Sequence, residues 1–329
     1  MDRIIAWIGG AAVAVALLMP TLPSLAAQQR ILLVQSYDPS LTWTVQCERG
    51  IRSVLPESVD LDIVYLDSKR KSPAEYRKNV DEALARFHQT EFDLVMLGDD
   101  NALRILGPPI ANTGVPVVYF GINNNPRSYF ETLPPNVVGV IERIPLFHWV
   151  RLLARVVPDA RNILVLMDDS PTSKGISDTS FRGRQSVTFD GRTVNCVLTG
   201  RWDRWKEQVL AGGNDFILMP IYHALRGASG AHVDYKTVVA WTSEHSPVPV
   251  FATQDYAVGE RGVVGALAVV GEEHGAIAGR LAAGILESEN VANLSVLDDQ
   301  QGQLFFNRTQ LLRFGLVLPR EMAERAVFK

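Results

Sequence analysis

Ile31-Leu32-Leu33-Val34-Gln35, followed at once by Ser36-Tyr37-Asp38, is the stretch that decides the fold. A continuous β-prone apolar run that halts at small polar and acidic residues reads as a strand buried on both faces. Such strands belong to parallel sheets covered by helices. The pattern recurs three times in the first half: 61–66 then Asp67-Ser68-Lys69-Arg70, 93–97 then Gly98-Asp99-Asp100-Asn101, and 115–120 then Gly121-Ile122-Asn123-Asn124-Asn125. The second half repeats it at 162–167 before Asp168-Asp169-Ser170, at 215–219 before Pro220-Ile221-Tyr222, and at 248–253 before Gln254-Asp255-Tyr256. Ligands of open parallel sheets bind beyond the carboxyl ends of the strands, where these polar clusters fall. Two arrays therefore imply two polar rims, and two rims in one chain imply a cleft between two lobes.

Helical segments fill the intervals. Residues 43–55 read as a first helix stopped by Pro56, and 73–88 as an amphipathic one with Tyr76, Val80, Leu84 and Phe87 on one stripe. Asp99 or Asp100 is expected to cap the helix that carries Leu103 and Leu106. With a fifth strand at 137–142, the first unit is an α/β sheet of expected order 2-1-3-4-5. The second unit is expected to open with a helix over 147–156. Its strands fall at 163–167, 193–198, 216–219, 248–252 and 263–267, with helices at 202–210 and 233–245 between them. A further helix over 271–287 carries a small-residue face, and the tail supplies a short strand at 303–306 and a helix at 309–314. No low-complexity linker separates the halves, so the boundary near 142–145 reads as a tight hinge and the lobes as rigid bodies.

Residues 1–27 read as a cleaved signal peptide: Arg3, an apolar run over 4–18, then Ser24-Leu25-Ala26 before the expected cut. The run is shorter than the roughly 20 residues a spanning helix needs. The expected mature protein is exported and soluble, hence periplasmic. A formal charge of −4 gives no electrostatic reason to expect nucleic acid, and 47% hydrophobic content supports two sizeable cores. The two cysteines, Cys47 and Cys196, fall in different halves and are expected as buried thiols.

The chain resembles a known family at several places in order. Leu33-Val34-Gln35-Ser36-Tyr37, with Trp43-Thr44 and Gly50-Ile51, looks like the opening of ABC-transporter substrate-binding proteins of periplasmic-binding-protein type I, a branch that also supplies extracellular sensor domains of histidine kinases. Similar too are Tyr65-Leu66-Asp67-Ser68-Lys69-Arg70, Gly98-Asp99-Asp100-Asn101-Ala102-Leu103, Gly121-Ile122-Asn123, the helix from Gly271, and the ending Asn307 … Leu311 … Gly315-Leu316 … Leu318-Pro319. The resemblance covers most of 31–320 and is weaker across 170–245. It implies two Rossmann-like lobes joined by three crossovers, the first of 28–142 plus about 271–289, the second of 143–270 plus about 290–329. It also implies a solute receptor, binding an amino acid or similar small polar molecule, that closes around its ligand and serves an ABC permease. The alternatives are a periplasmic sensor acting on a histidine kinase and, with less support, an exported α/β enzyme.

The candidate ligand residues are those of the rims. Ser36, Asp99, Asp100 and Asn101 sit at strand-to-helix turns, suited either to ligand contact or to capping. Tyr37, Trp43, Tyr222 and Tyr256 offer aromatic walls, with a core role the alternative for Trp43. Asn123 and Asn124 follow the fourth strand and would otherwise only build its turn. Asp169, Ser170 and Asp255 face them from the second unit, with Glu142 at the hinge. Asp67, Lys69 and Arg70 read as a solvated or interlobe charge network, since Lys71 extends the charge run. His223 reads as structural. No cofactor and no metal is expected: the chain has no phosphate-binding Gly-rich loop, no paired-cysteine motif and no His-Glu-x-x-His.

Overall fold

The computed structural model describes residues 28–142, 145–299 and 302–329. The expected signal peptide, and the middle of the expected hinge at 143–144, lie outside the described residues. The chain runs β1 (Arg30–Gln35), α1 (Thr42–Val54), β2 (Asp60–Tyr65), α2 (Pro73–Gln89), β3 (Leu94–Gly98), α3 (Asp99–Ala111), β4 (Val117–Ile122) and β5 (Val137–Glu142). It crosses to α4 (Leu146–Leu153), β6 (Asn162–Met167), α5 (Pro171–Phe181), β7 (Ser186–Phe189), β8 (Arg192–Leu198), α6 (Trp202–Leu210), β9 (Phe216–Met219), α7 (Tyr235–His245), β10 (Val250–Ala252) and β11 (Gly265–Val269). It then returns through α8 (Gly271–Leu286) and β12 (Leu297–Asp299). It ends with β13 (Gly302–Phe306), α9 (Arg308–Arg313), α10 (Arg320–Ala323) and β14 (Val327–Phe328).

Two sheets result. The first has the order β12-β5-β4-β3-β1-β2, and the second β14-β13-β11-β10-β9-β6-β8-β7. Strands β1 to β5 thus take the expected order 2-1-3-4-5 in parallel, and β6, β8, β9, β10 and β11 repeat it. The fold class is α/β with two Rossmann-like lobes. The central strands are buried end to end, with Leu94–Gly98 and Val117–Ile122 buried at every residue. Their continuous apolar sequences require cover on both faces, which the helices provide.

Three details depart from the sequence-based expectations. The first lobe keeps more of the tail than 271–289: β12 pairs in parallel with β5, so the last crossing falls between β12 and β13. Helix α5 was not placed by sequence, because its residues Pro171–Phe181 are mostly small and polar. Strand β7 was missed as well, being a four-residue edge strand antiparallel to β8.

Helices α1 and α8 lock the first lobe's outer layer by near contact of their backbones. A Cβ on Gly275 would stand 2.1 Å from the Cys47 carbonyl oxygen. The small-residue face of α8 is therefore a packing surface against α1. Cys47 and Cys196 are buried thiols, one in each lobe.

Candidate functional site

The rim of the first lobe divides its polar groups between holding the backbone and facing the other lobe. The Ser36 hydroxyl donates to the Gly98 carbonyl at 2.6 Å and accepts from the Ala102 N–H at 2.8 Å. Ser36, not Asp99 or Asp100, therefore satisfies an orphan N–H of the first turn of α3. Asp100 accepts from the backbone N–H groups of Asn123 and Asn124, each at 3.2 Å, and from the Tyr129 hydroxyl at 2.8 Å. Its carboxylate pins the loop after β4. Asn101 donates to Ser68 Oγ at 2.9 Å and accepts from Arg104.

Asp99 is held differently. Its φ of 65° is left-handed, a conformation that Asp tolerates better than most residues. This turns its carboxylate toward Gly121, where a Cβ would lie 3.0 Å from Asp99 Oδ1. Gly121 itself has φ 69°, sits where the β4–β5 register shifts, and donates its N–H to His274 Nε2 at 2.8 Å. Only glycine combines that backbone with that approach.

The lobes are closed on one another. Across the cleft the Tyr37 hydroxyl meets Thr172 Oγ1 at 3.4 Å, Lys69 Nζ donates to Ser170 Oγ at 3.2 Å, and the Thr42 hydroxyl meets the Tyr235 hydroxyl at 2.8 Å. Gln46 donates to Asp255 Oδ1 at 3.2 Å, and Arg226 to the Arg70 carbonyl at 2.9 Å. Between them remains a cavity of about 30 Å³, the room of roughly one water. The first lobe lines it with Tyr37, Trp43, Lys69, Asp99, Asn123 and Glu142. The second contributes Thr172, His223, Thr253, Gln254 and Tyr256.

Three acceptors on this lining lack a partner among the described residues: Asp99 Oδ2, Asn123 Oδ1 and Gln254 Oε1. A buried acceptor without a donor costs about 1–3 kcal/mol, so the lining is arranged to receive donors. Burial, and then the Asp100 carboxylate, raise the Asp99 carboxyl well above its usual range, against the pull of the Lys69 ammonium and of the nearby Tyr37 hydroxyl and Trp43 indole.

Lys69 is the cation of the site. It is buried, with its Nζ 5.0 Å from the centre of the Tyr37 ring. Burial alone would raise Asp168 behind it; the Lys69 charge and hydrogen bonds from Ser170 and Ser173 outweigh that and hold the carboxyl below its usual value. His223 is pushed down to about 3, by burial first and by Lys69 second, so its ring is neutral. It stacks on Tyr222 at 4.3 Å, and its Nε2 lies 3.0 Å from the Tyr256 hydroxyl.

Of the residues singled out by sequence, Tyr37, Trp43, Asp99, Asn123, Glu142 and Tyr256 meet at this cavity. Ser36, Asp100 and Asn101 are spent on the backbone and on neighbouring side chains. Ser170 holds Lys69, and Tyr222 lies fully buried behind His223. Asp255 bridges Gln46 to Lys329. Asn124 accepts from the Asn125 N–H and packs near Gly175, away from the cavity. Asp169 is exposed and lies against Gly200. Trp43 is both core and lining, 5.6 Å from the His274 ring.

Of the two readings open for Lys69, solvated or interlobe, the structure takes the second: Lys69 is 6% exposed and donates to Ser170, because the second lobe closes over it. The signal was available, since Lys69 follows a strand end like any other rim residue. His223, read by sequence as structural, likewise lines the cavity, as do Thr172, Thr253 and Gln254, which carry no distinguishing signal in the sequence. Among the described residues no cluster of His, Cys, Asp and Glu is placed to hold a metal ion, and no helix is long and apolar enough to cross a membrane.

No protein-family model matches the chain, and no curated protein matches it by sequence. Solved structures do. The ABC domain from Streptococcus pneumonia in complex with L-Trp superimposes with a TM-score of 0.69 at 19% identity, over 92% of this chain and 99% of that one. A substrate binding protein with adhesive properties from Clostridium difficile, in its ligand-free, open form, gives 0.64 at 17% identity over 92% and 99%. A 5-methylthioribose transporter solute binding protein from Thermotoga lettingae gives 0.53 at 15% identity over 90% and 91%. The fold is that of type I periplasmic binding proteins.

Proposed function

We propose that this chain is an exported solute receptor that closes its lobes around an amino acid or a closely similar zwitterion and delivers it to an ABC permease. The observation that carries the reading is the set of unpartnered acceptors, Asp99 Oδ2, Asn123 Oδ1 and Gln254 Oε1, on one cavity between two lobes. An ammonium group supplies three donors and a charge, which is what those acceptors lack. Lys69, with the Thr172 hydroxyl, offers the complement for a carboxylate. Tyr37, Trp43 and Tyr256 supply walls for an apolar or aromatic side chain. The pneumococcal relative crystallised with L-Trp supports the same ligand class.

Neither lobe encloses the cavity alone, so a ligand that bridges them stabilises the closed state over the open one. With room for about one water in the closed form, a solute of amino-acid size enters by parting the lobes. The test is a thermal-shift screen of amino acids, neutral sugars and small carboxylates, followed by calorimetry on the strongest hit. Amino acids are expected to raise the melting temperature and sugars to leave it unchanged. Asp99→Asn keeps the left-handed backbone tolerable but removes the charge. It is expected to weaken the hit at least tenfold, from a charged hydrogen bond of about 1.5–3 kcal/mol. Stabilisation by neutral sugars, or full affinity in Asp99→Asn, would refute the assignment.

A further inference from the structure

A second concavity lies outside the cleft. It is an open groove of about 1050 Å³, walled on one side by the loop from Asn123 to Arg127 of the first lobe and on the other by the end of α5 and by β7. Its cations are Arg127, Arg182 and Arg184, and no Asp or Glu lines it among the described residues. That composition is unusual in a chain with 36 acidic and 32 basic residues. None of the three guanidinium groups is in an ion pair among the described residues, whereas Arg151 nearby is paired with Asp190 at 2.6 Å. The floor is aromatic, with Phe147 lying 4.9 Å from Phe189 and 5.5 Å from Phe181.

The groove also contains a free sheet edge. Among the described residues strand β7 is the last strand of the second sheet, paired on one side only. The Cys196 N–H donates to the Gln185 carbonyl, which sets the phase of the β7–β8 ladder. In an antiparallel ladder hydrogen-bonded and non-hydrogen-bonded pairs alternate. Val187 therefore turns its backbone groups to β8, while Ser186 and Thr188 turn theirs to the free edge. Ser186 and Thr188 are both exposed.

We propose that this groove docks an extended acidic segment of a partner protein, which adds as a strand to the free edge of β7 and sets its carboxylates against Arg182, Arg184 and Arg127. Backbone pairing with the edge supplies affinity, and the arginines select for charge. An open trough beside a strand edge suits a chain in extended form better than a small solute, which needs enclosure. Arg182, Arg184 and β7 all belong to the second lobe, so strand addition to β7 does not itself require the closed arrangement. Arg127 joins from the first lobe and makes the full groove a feature of the closed arrangement.

The probe is a fluorescein-labelled heptapeptide of alternating glutamate and valine, followed by anisotropy on the full chain. The lysine–valine peptide serves as its charge-reversed control. The glutamate peptide is expected to bind, the lysine peptide not to, and raising salt from about 50 mM to about 500 mM to weaken binding at least tenfold. Arg182→Glu with Arg184→Glu should cost at least tenfold, and so should Thr188→Pro, which removes an edge N–H without touching the bonds to β8. Circular dichroism melts of each variant check that it is folded. Equal binding of the lysine peptide overturns the proposal, as does unchanged binding in the arginine variant. Full affinity in folded Thr188→Pro overturns strand addition. Complete displacement by equimolar tripolyphosphate marks a small-anion site instead and overturns it too.

Discussion

Replacing Lys69 by Met should open the cleft without unfolding either lobe. The Lys69 stem and the Tyr37 ring it overlies belong to the first lobe, but the groups it serves belong to the second. Its Nζ donates to Ser170 Oγ at 3.2 Å, and its charge lowers the Asp168 carboxyl. Those interactions exist only in the closed state. Methionine fills a similar volume, so packing is kept and the charge is lost. The buried Asp168 then keeps only its bonds from Ser170, Ser173 and the Ala224 N–H.

Removing one partner of a fully buried ion pair costs about 3–5 kcal/mol. Here a serine stands between the charges, and Lys69 no longer has to be dehydrated on closing. The scale of one charged hydrogen bond, about 1.5–3 kcal/mol, is therefore the better guide. That corresponds to a shift of about 10- to 150-fold in the closed-to-open ratio. Small-angle scattering of the wild type with a saturating amino-acid hit should give the smaller radius of gyration. Lys69→Met at the same ligand concentration should stay expanded and bind at least tenfold more weakly. Urea unfolding of the unliganded variant should change little, because each lobe keeps its own core. If Lys69→Met closes as compactly as the wild type and binds within about twofold of it, the idea of Lys69 as the interlobe tie is wrong.

Two further perturbations test the rim and the scaffold. His223 has its pKa pushed down to about 3 by burial and by Lys69, below the value near 6.5 of an unfolded chain. Between those values the unfolded chain binds the extra proton. The stability His223 supports is complete above about pH 6.5 and drains by about 1.4 kcal/mol per unit as the pH falls. From pH 7 to pH 5 that amounts to about 2 kcal/mol, which His223→Gln should remove from the acid sensitivity measured by urea unfolding. An unchanged pH slope would show that the ring is not held neutral. On α8, Gly275→Ala forces a Cβ to 2.1 Å from the Cys47 carbonyl, and Gly284→Ala meets only the end of the Glu289 side chain at 2.4 Å. The first should lose up to about 2 kcal/mol, the overpacking cost of about 1–3 kcal/mol less the helix-propensity gain of about 1. The second should gain a few tenths, since Glu289 can swing aside. Equal effects of the two in urea unfolding would contradict the backbone contact of α1 and α8.

Strands wrote themselves into the sequence because a doubly covered parallel strand tolerates no polar interruption, as in Leu94–Gly98 and Val117–Ile122. Elements that lean on tertiary contacts left weaker marks. Helix α5 is mostly small and polar, and β7 is a short half-exposed edge; the region holding both is also where the family likeness thins. At the site, the rule that ligands lie beyond strand ends led to the neighbourhood but did not distinguish atoms. Asp99 and Asp100 are adjacent, yet one carboxylate enters the cavity and the other ties down a loop. The left-handed φ of Asp99 makes that difference, and nothing in the local sequence announces it. Lys69 was hidden for the opposite reason. Three cations in a row read equally as solvated or as interlobe until a second lobe covers one of them.

The two lobes bring unlike halves to the cavity, and this asymmetry bears on why a ligand would drive closure. The first lobe supplies the ionisable groups Lys69, Asp99 and Glu142; the second supplies Thr172, Thr253, Gln254 and a histidine held neutral. Its one buried carboxylate near the contact, Asp168, is placed where Lys69 can compensate it. Closing therefore sets no like charges against each other among the residues that line the cavity. What closing does impose is the dehydration of Asp99, whose carboxyl is raised by burial and by Asp100, and whose Oδ2 is left without a donor. That penalty falls on the closed state alone, because an open cleft lets water serve the carboxylate. An ammonium-bearing ligand removes it by supplying charge and donors together, whereas a neutral solute of the same size supplies at best the donors. The same residue that opposes closure of the empty receptor thus makes closure selective, and Asp99→Asn should relax both at once: tighter closure without ligand, and weaker discrimination between an amino acid and its uncharged analogue.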